Sequence, residues 1–184
     1  KDKKRIAYHE AGHTLTAMLT KGADPVNKVT IVPRGPALGF TKQLLEDRHS
    51  LTKNELEAMI AVRVAGRAAE DLVFGEITTG PHDDFKKATH FLKKMIYELG
   101  MDEKIGMVVF AEKTDFWGQS TGLDASQWTK RMLEKAVRNK LDKIYNEVKQ
   151  LLADNRVKLD KLAHALIEKE TLDAKDIVDI LNSA

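Results

Sequence analysis

Between Ile6 and Thr20 the chain reads IAYHEAGHTLTAMLT, and its only formally charged side chain there is Glu10. A helix of this composition has almost no solvated face, so most of its surface must be covered by the rest of the fold. Gly22 and the Ala23-Asp24-Pro25 segment end it. The exceptions on this helix are His9, Glu10 and His13. A carboxylate on an apolar helix is costly to bury unless it is paired or lies near a cation.

The remaining chain must supply that cover. Its 184 residues fit one domain, or one domain with a smaller appended lobe. Hydrophobic residues make up 42% of it, enough for a core, and charged residues 32%, which implies helices with solvated faces. With 30 basic and 28 acidic residues the net charge is +2, which argues against nucleic acid or an anionic membrane surface as the main partner. There is no cysteine, so any metal site must use His, Asp or Glu, and a reducing compartment suits the chain. No apolar run approaches the ~20 residues of a membrane span. The opening KDKKRIAYHE is charged and then helical, unlike a secretory signal, and its abruptness reads as a piece of a longer protein.

NKVTIVPRG, residues 27–35, has the β-branched run of a strand stopped by Pro33, and GPALGFTKQLL reads as a turn and a second strand. A long helix follows, with Thr52 and Glu55 as a capping box and Gly75 as its end. Residues 78–84, TTGPHDD, read as a turn before a helix from Phe85 to a stop at Gly100. KIGMVVFAE is expected to be a short strand or extended, and KTDFWGQSTGLDAS a loop. A long amphipathic helix then carries Leu133, Val137, Leu141, Ile144, Val148 and Leu151 on one stripe, read mainly as intrachain core. Two shorter helices close the chain, the last after a cap-like Thr171. The expected fold is mostly α (α+β), with a small β-sheet, a first part over residues 1–113 and a helical C-terminal lobe over 125–184.

His9 and His13 stand four apart, on one helix face ~5–6 Å apart at Cβ, so both rings can meet one Zn²⁺ at ~2.0–2.1 Å. Glu10 lies ~100° round the helix, where it reaches a water at the metal rather than the metal itself. This is the logic of H-E-x-x-H hydrolases, in which the carboxylate takes a proton from a water made acidic by the cation. A catalytic zinc usually takes three protein ligands. The candidates for the third are Glu70, Asp71, His82, Asp83, Asp84 and His90. Asp84 falls ~60° from the apolar stripe of the helix that follows, and Asp83 ~160° away on the solvated face. Phase therefore favours Asp84 over Asp83. Glu70, on a helix itself, is not rejected by spacing.

YHEAGH, VTIVPRGPALGFT, GRAAEDLVFG, TTGPHDDFKKAT and ALIEKETLDAKDIVDIL, in this order and spacing, resemble the peptidase domain of the FtsH-type membrane-anchored AAA+ zinc metalloproteases. The resemblance covers nearly the whole chain. It implies His9, His13 and Asp84 as zinc ligands, Glu10 as catalytic glutamate and Glu70 as an acid that orients a zinc histidine. It implies one Zn²⁺ per chain, unfolded membrane and soluble proteins as substrates, and a homo-hexameric parent. The ATPase that uses ATP and the membrane anchor would both precede Lys1, since the chain has no G-x-x-x-x-G-K-[ST]. The parent would sit in a bacterial inner membrane with this domain in the cytoplasm, or in an organelle. The VTIVPRG strand resembles the family's active-site edge strand, to which a peptide adds by β-augmentation; a core strand is the competing reading. Ala65 stands where the family usually has a first glycine, Ala136 where an acid is common, and the stretch with Trp117 and Trp128 is not distinctive of the family. These departures bear on loop shape and subunit contacts. A degenerate, non-catalytic relative acting in oligomerisation or as a chaperone is the alternative, and a hydrolase of something other than peptides is a third class. Intact His9, Glu10, His13 and Asp84 count against the degenerate relative.

Overall fold

The computed structural model describes residues 2–32, 40–43, 50–76, 78–110, 112–114 and 120–183. Helix α1, Asp2–Leu19, is buried on every side along Glu10–Ala17. It lies against α2, Lys53–Phe74, and α5, Arg156–Lys169, and also touches strand β1, Val26–Thr30, and α4, Gln127–Asp154. The apolar composition of α1 thus has the cover it requires. Tyr8 completes the α5 contact by donating to Asp160 Oδ1 at 2.8 Å.

Small residues let α1 and α2 approach closely. A Cβ on Gly12 would stand 2.6 Å from the Ala65 carbonyl oxygen and 2.7 Å from the Ala69 Cβ. Ala65, Ala68 and Ala69 are fully buried. The unusual Ala65 therefore bears on a helix crossing inside the core, where Gly12 makes the room, rather than on a loop.

Local signals set the ends of α2. Thr52 accepts from the Glu55 N–H at 3.3 Å, and the Thr52 N–H donates to Glu55 Oε2 at 2.7 Å. Gly75 closes the helix at φ 64°, a left-handed conformation that glycine adopts without cost. Helix α3, His82–Lys93, begins three residues earlier than expected, after Pro81, which occupies the N-cap. It runs into a π-helical turn, Lys94–Glu98, whose wider winding buries three consecutive residues, Met95, Ile96 and Tyr97.

β1 pairs antiparallel with β2, Phe40–Gln43, on one side and with β5, Thr171–Asp173, on the other. Over Val26–Thr30 it is the central strand of the order β2-β1-β5, so both its edges are taken and it is no edge strand for a substrate. The rest of the stretch read as a second strand lies outside the described residues. Thr171 belongs to β5, and the last helix, α6, Ala174–Asn182, is capped instead by Asp173 in a capping box with Asp176. Of the stretch expected to be a short strand or extended, 104–110 forms a turn and irregular chain, while Glu112 opens strand β3, Glu112–Thr114. The residues read as a loop after it hold the rest of β3 and strand β4, Ser120–Leu123, paired antiparallel; Trp117 lies outside the described residues.

α4 packs along α2, with Leu133, Val137, Ile144, Val148 and Leu152 buried and Leu141 and Leu151 half-buried. The stripe is mostly intrachain core, as its amphipathic spacing implies. Asp71 on α2 ties the two helices, accepting from Lys149 Nζ at 2.6 Å and the Tyr145 hydroxyl at 3.1 Å. One continuous apolar cluster runs from Ala7 to Ile177. The architecture is mostly helical α+β, with two small antiparallel sheets among the described residues.

Candidate metal centre

Three elements meet at the polar insertions of α1. His9 and His13 project from one face of α1, as their spacing requires. Asp84 comes from the first turn of α3. Its oxygen Oδ2 lies 3.4 Å from Nε2 of both histidines, and the two Nε2 atoms are 3.0 Å apart. One donor atom from each of the three residues lies within 4.8 Å of the others. Donors at ~2.0–2.1 Å from a tetrahedral zinc stand ~3.3–3.4 Å from one another. Two of the three separations match that value and the third is a few tenths shorter. The donor set, two imidazoles and a carboxylate, is one that zinc takes while keeping a position open. The residues therefore fit the cation that the sequence implies.

The far side of each ring is held by α2. His9 Nδ1–H donates to Glu70 Oε1 at 2.8 Å, and His13 Nδ1–H donates to the Val62 carbonyl at 2.6 Å. These bonds engage each Nδ1 and leave each Nε2 turned toward Asp84, which is how outer partners orient ligands. Glu70 is fixed in turn by the Thr78 hydroxyl, which donates to Oε2 at 2.8 Å. Glu70 thus sits behind His9 rather than in the group of donors.

The other candidates are engaged elsewhere or face solvent. Asp71 binds α4, while His82, Asp83 and His90 are exposed. Asp84 is half-buried one position along, as helical phase indicated. Glu10 is buried, at 6% exposure, and its charge acts on His9.

The electrostatics favour positive charge here. Burial disfavours the His9 imidazolium, but hydrogen bonds to Asp84 and Glu70 outweigh it and raise His9 to about 9. Burial also opposes ionised Asp84, yet the hydrogen bonds with His13 and His9 hold its carboxyl well below the usual carboxylate range. Glu70 is likewise lowered despite its burial, by His9 and Thr78. A pocket that holds a proton this firmly between carboxylates is one that stabilises a cation.

Gly66 was read only as part of a motif. A Cβ there would stand 2.4 to 2.6 Å from three atoms of the His9 ring. The imidazole cannot retreat without leaving Glu70. Gly66→Ala should destabilise the fold by ~1–3 kcal/mol, because crowding of the His9 ring outweighs the up to ~1 kcal/mol that alanine adds to a helix. It should also weaken zinc binding on the order of 10–100-fold, the scale on which displaced outer partners act. Denaturant unfolding beside chelator competition would show both losses. Equal zinc affinity in the variant would mean that the ring has room to move.

Gly66, Thr78 and the Val62 carbonyl carry no signal that names their task in sequence. Only the four-residue spacing of 62, 66 and 70 hints that one face of α2 looks at the site.

Comparison with known proteins identifies the family of the chain. Residues 1–180 match the model of Peptidase family M41. The chain is 42% identical over 186 residues to a protein of Magnetococcus marinus named ATP-dependent zinc metalloprotease FtsH, covering 98% of this chain and 28% of that one. It is 44% identical over 183 residues to ATP-dependent zinc metalloprotease FtsH 4 of Sorangium cellulosum, covering 96% and 28%. It is 42% identical over 179 residues to the FtsH of Thermus thermophilus, again covering 96% and 28%. The chain thus spans under a third of the length of these curated relatives. With a family match over nearly every residue, the chain belongs to peptidase family M41, as a peptidase domain of the FtsH type.

Proposed function

We propose that this domain hydrolyses peptide bonds of unfolded proteins at a Zn²⁺ held by His9, His13 and Asp84, with Glu10 as general base. The observation that carries the reading is the convergence of Nε2, Nε2 and Oδ2 from two helices, at separations that suit one tetrahedral cation. Zinc, when bound, supplies Lewis acidity that polarises the scissile carbonyl and acidifies water. Glu10 follows His9 on α1, ~100° round the helix, and its charge acts on the His9 imidazole. Its carboxylate accepts the proton of the attacking water and returns it to the leaving amine. Glu70 and the Val62 carbonyl keep the imidazoles in the tautomer that leaves Nε2 free.

The longer relatives carry the name ATP-dependent. In a parent of that kind, ATP would be used by a separate domain, and a homo-hexamer would deliver unfolded membrane and soluble proteins to this one. Membrane attachment would come from segments outside this chain, with the peptidase on the cytoplasmic side. Among the described residues no helix is long and apolar enough to cross a membrane.

The test is zinc content with cleavage of casein, an unfolded protein. The expected result is about one zinc per chain and casein cleavage that a chelator abolishes and added zinc restores. Bound zinc without any cleavage would favour the non-catalytic alternative.

A further inference from the structure

Helix α2 faces the three donors from one side. The Val62 carbonyl holds His13, Gly66 makes space for His9, and Glu70 holds His9. All three serve the histidines. Arg63, next to Val62, serves the carboxylate: its Nη1 lies 3.5 Å from Asp84 Oδ1. The two oxygens of Asp84 are therefore divided. Oδ2 faces both Nε2 atoms, and Oδ1 faces the guanidinium. The Arg63 side chain is 37% exposed and that of Asp84 19%, so water reaches both partners of the pair.

We propose that Arg63 is a positioning residue of the metal centre, holding Oδ1 so that Asp84 offers a cation Oδ2 alone. This rests on the assignment of Asp84 as a ligand. A carboxylate free to turn can present both oxygens to one cation, adding a donor and filling the position that a zinc hydrolase keeps open. A planar, permanently charged guanidinium suits the task of fixing one oxygen. Its charge also repels a cation. That repulsion is screened by water on the exposed side of Asp84, while the contact with Oδ1 acts at short range.

The test is cobalt(II) substitution, because cobalt absorption reports the number of donors. Wild type, Arg63→Met, Arg63→Lys and Asp84→Asn are loaded with cobalt and their visible spectra compared. Zinc affinity is measured on each by chelator competition. Thermal unfolding with excess chelator checks that Arg63→Met folds as wild type does. Wild type should give the intense bands of four-coordinate cobalt. Arg63→Met should lose them for the weaker pattern of a fifth donor, and Arg63→Lys should recover them in part. An Arg63→Met spectrum identical to wild type, in a folded protein that binds cobalt, would overturn the role of Arg63 alone. Failure of wild type to bind either metal, or unchanged binding in Asp84→Asn, would overturn the ligand assignment and this proposal with it.

Discussion

Glu10→Gln should keep zinc and lose peptide cleavage by a factor on the order of 10²–10⁴, the range for removing a positioned general base. Glutamine has nearly the same shape, so the buried position on α1 stays filled. What disappears is a group able to take a proton from water. His9, His13 and Asp84 remain, so the donor set is complete. Loss of the Glu10 charge also weakens the field on His9, and zinc affinity should fall only modestly through that effect. Elemental analysis and casein hydrolysis on the same preparation separate the two quantities. Undiminished cleavage would remove Glu10 from the mechanism.

Asp84→Asn is expected to lose zinc, while its neighbour Asp83→Asn keeps both zinc and activity. The pair differ by one residue in the first turn of α3, yet Asp84 Oδ2 is 3.4 Å from both imidazoles and Asp83 is exposed. Asparagine offers a neutral oxygen in place of the charge that balances His9 and His13. Zinc affinity should therefore fall by more than the ~100-fold that marks the upper end for losing an outer partner. Asp83 stands at a helix N-terminus, where its charge contributes only ~0.3–1 kcal/mol to the helix. Chelator competition on both variants is the measurement. Zinc retained by Asp84→Asn and lost by Asp83→Asn would turn the ligand assignment round.

The differences between expectation and structure share a cause. β5 is three residues long, too short to show an alternating pattern, and it exists because Lys28, Val29 and Thr30 pair with Asp173, Leu172 and Thr171 from far along the chain. Once that strand forms, Asp173 rather than Thr171 stands at the start of α6. The same pairing makes β1 central, a property that the β-branched run at Val29–Val32 cannot announce. β3 and β4 are equally brief and lie in a segment rich in turn residues. α2 was legible at both ends, because a capping box and a left-handed glycine act within a few residues.

The sequence by itself determined the elements whose physics is local. The apolar α1 had to be buried, and His9 and His13 had to share a face with Glu10 turned aside, because helix geometry leaves no other arrangement. Helical phase also preferred Asp84 to Asp83. Only the tertiary structure set Asp84 Oδ2 3.4 Å from both Nε2 atoms and Glu70 behind His9. It alone showed that Gly66 must lack a side chain and that Arg63 faces Oδ1 of Asp84. The positions that serve the donors lie some 50 to 60 residues from the histidines and about 20 from Asp84. Contacts across such distances depend on how α1, α2 and α3 cross, and that crossing is set by packing of small residues at Gly12, Ala65 and Ala69, which no local pattern encodes.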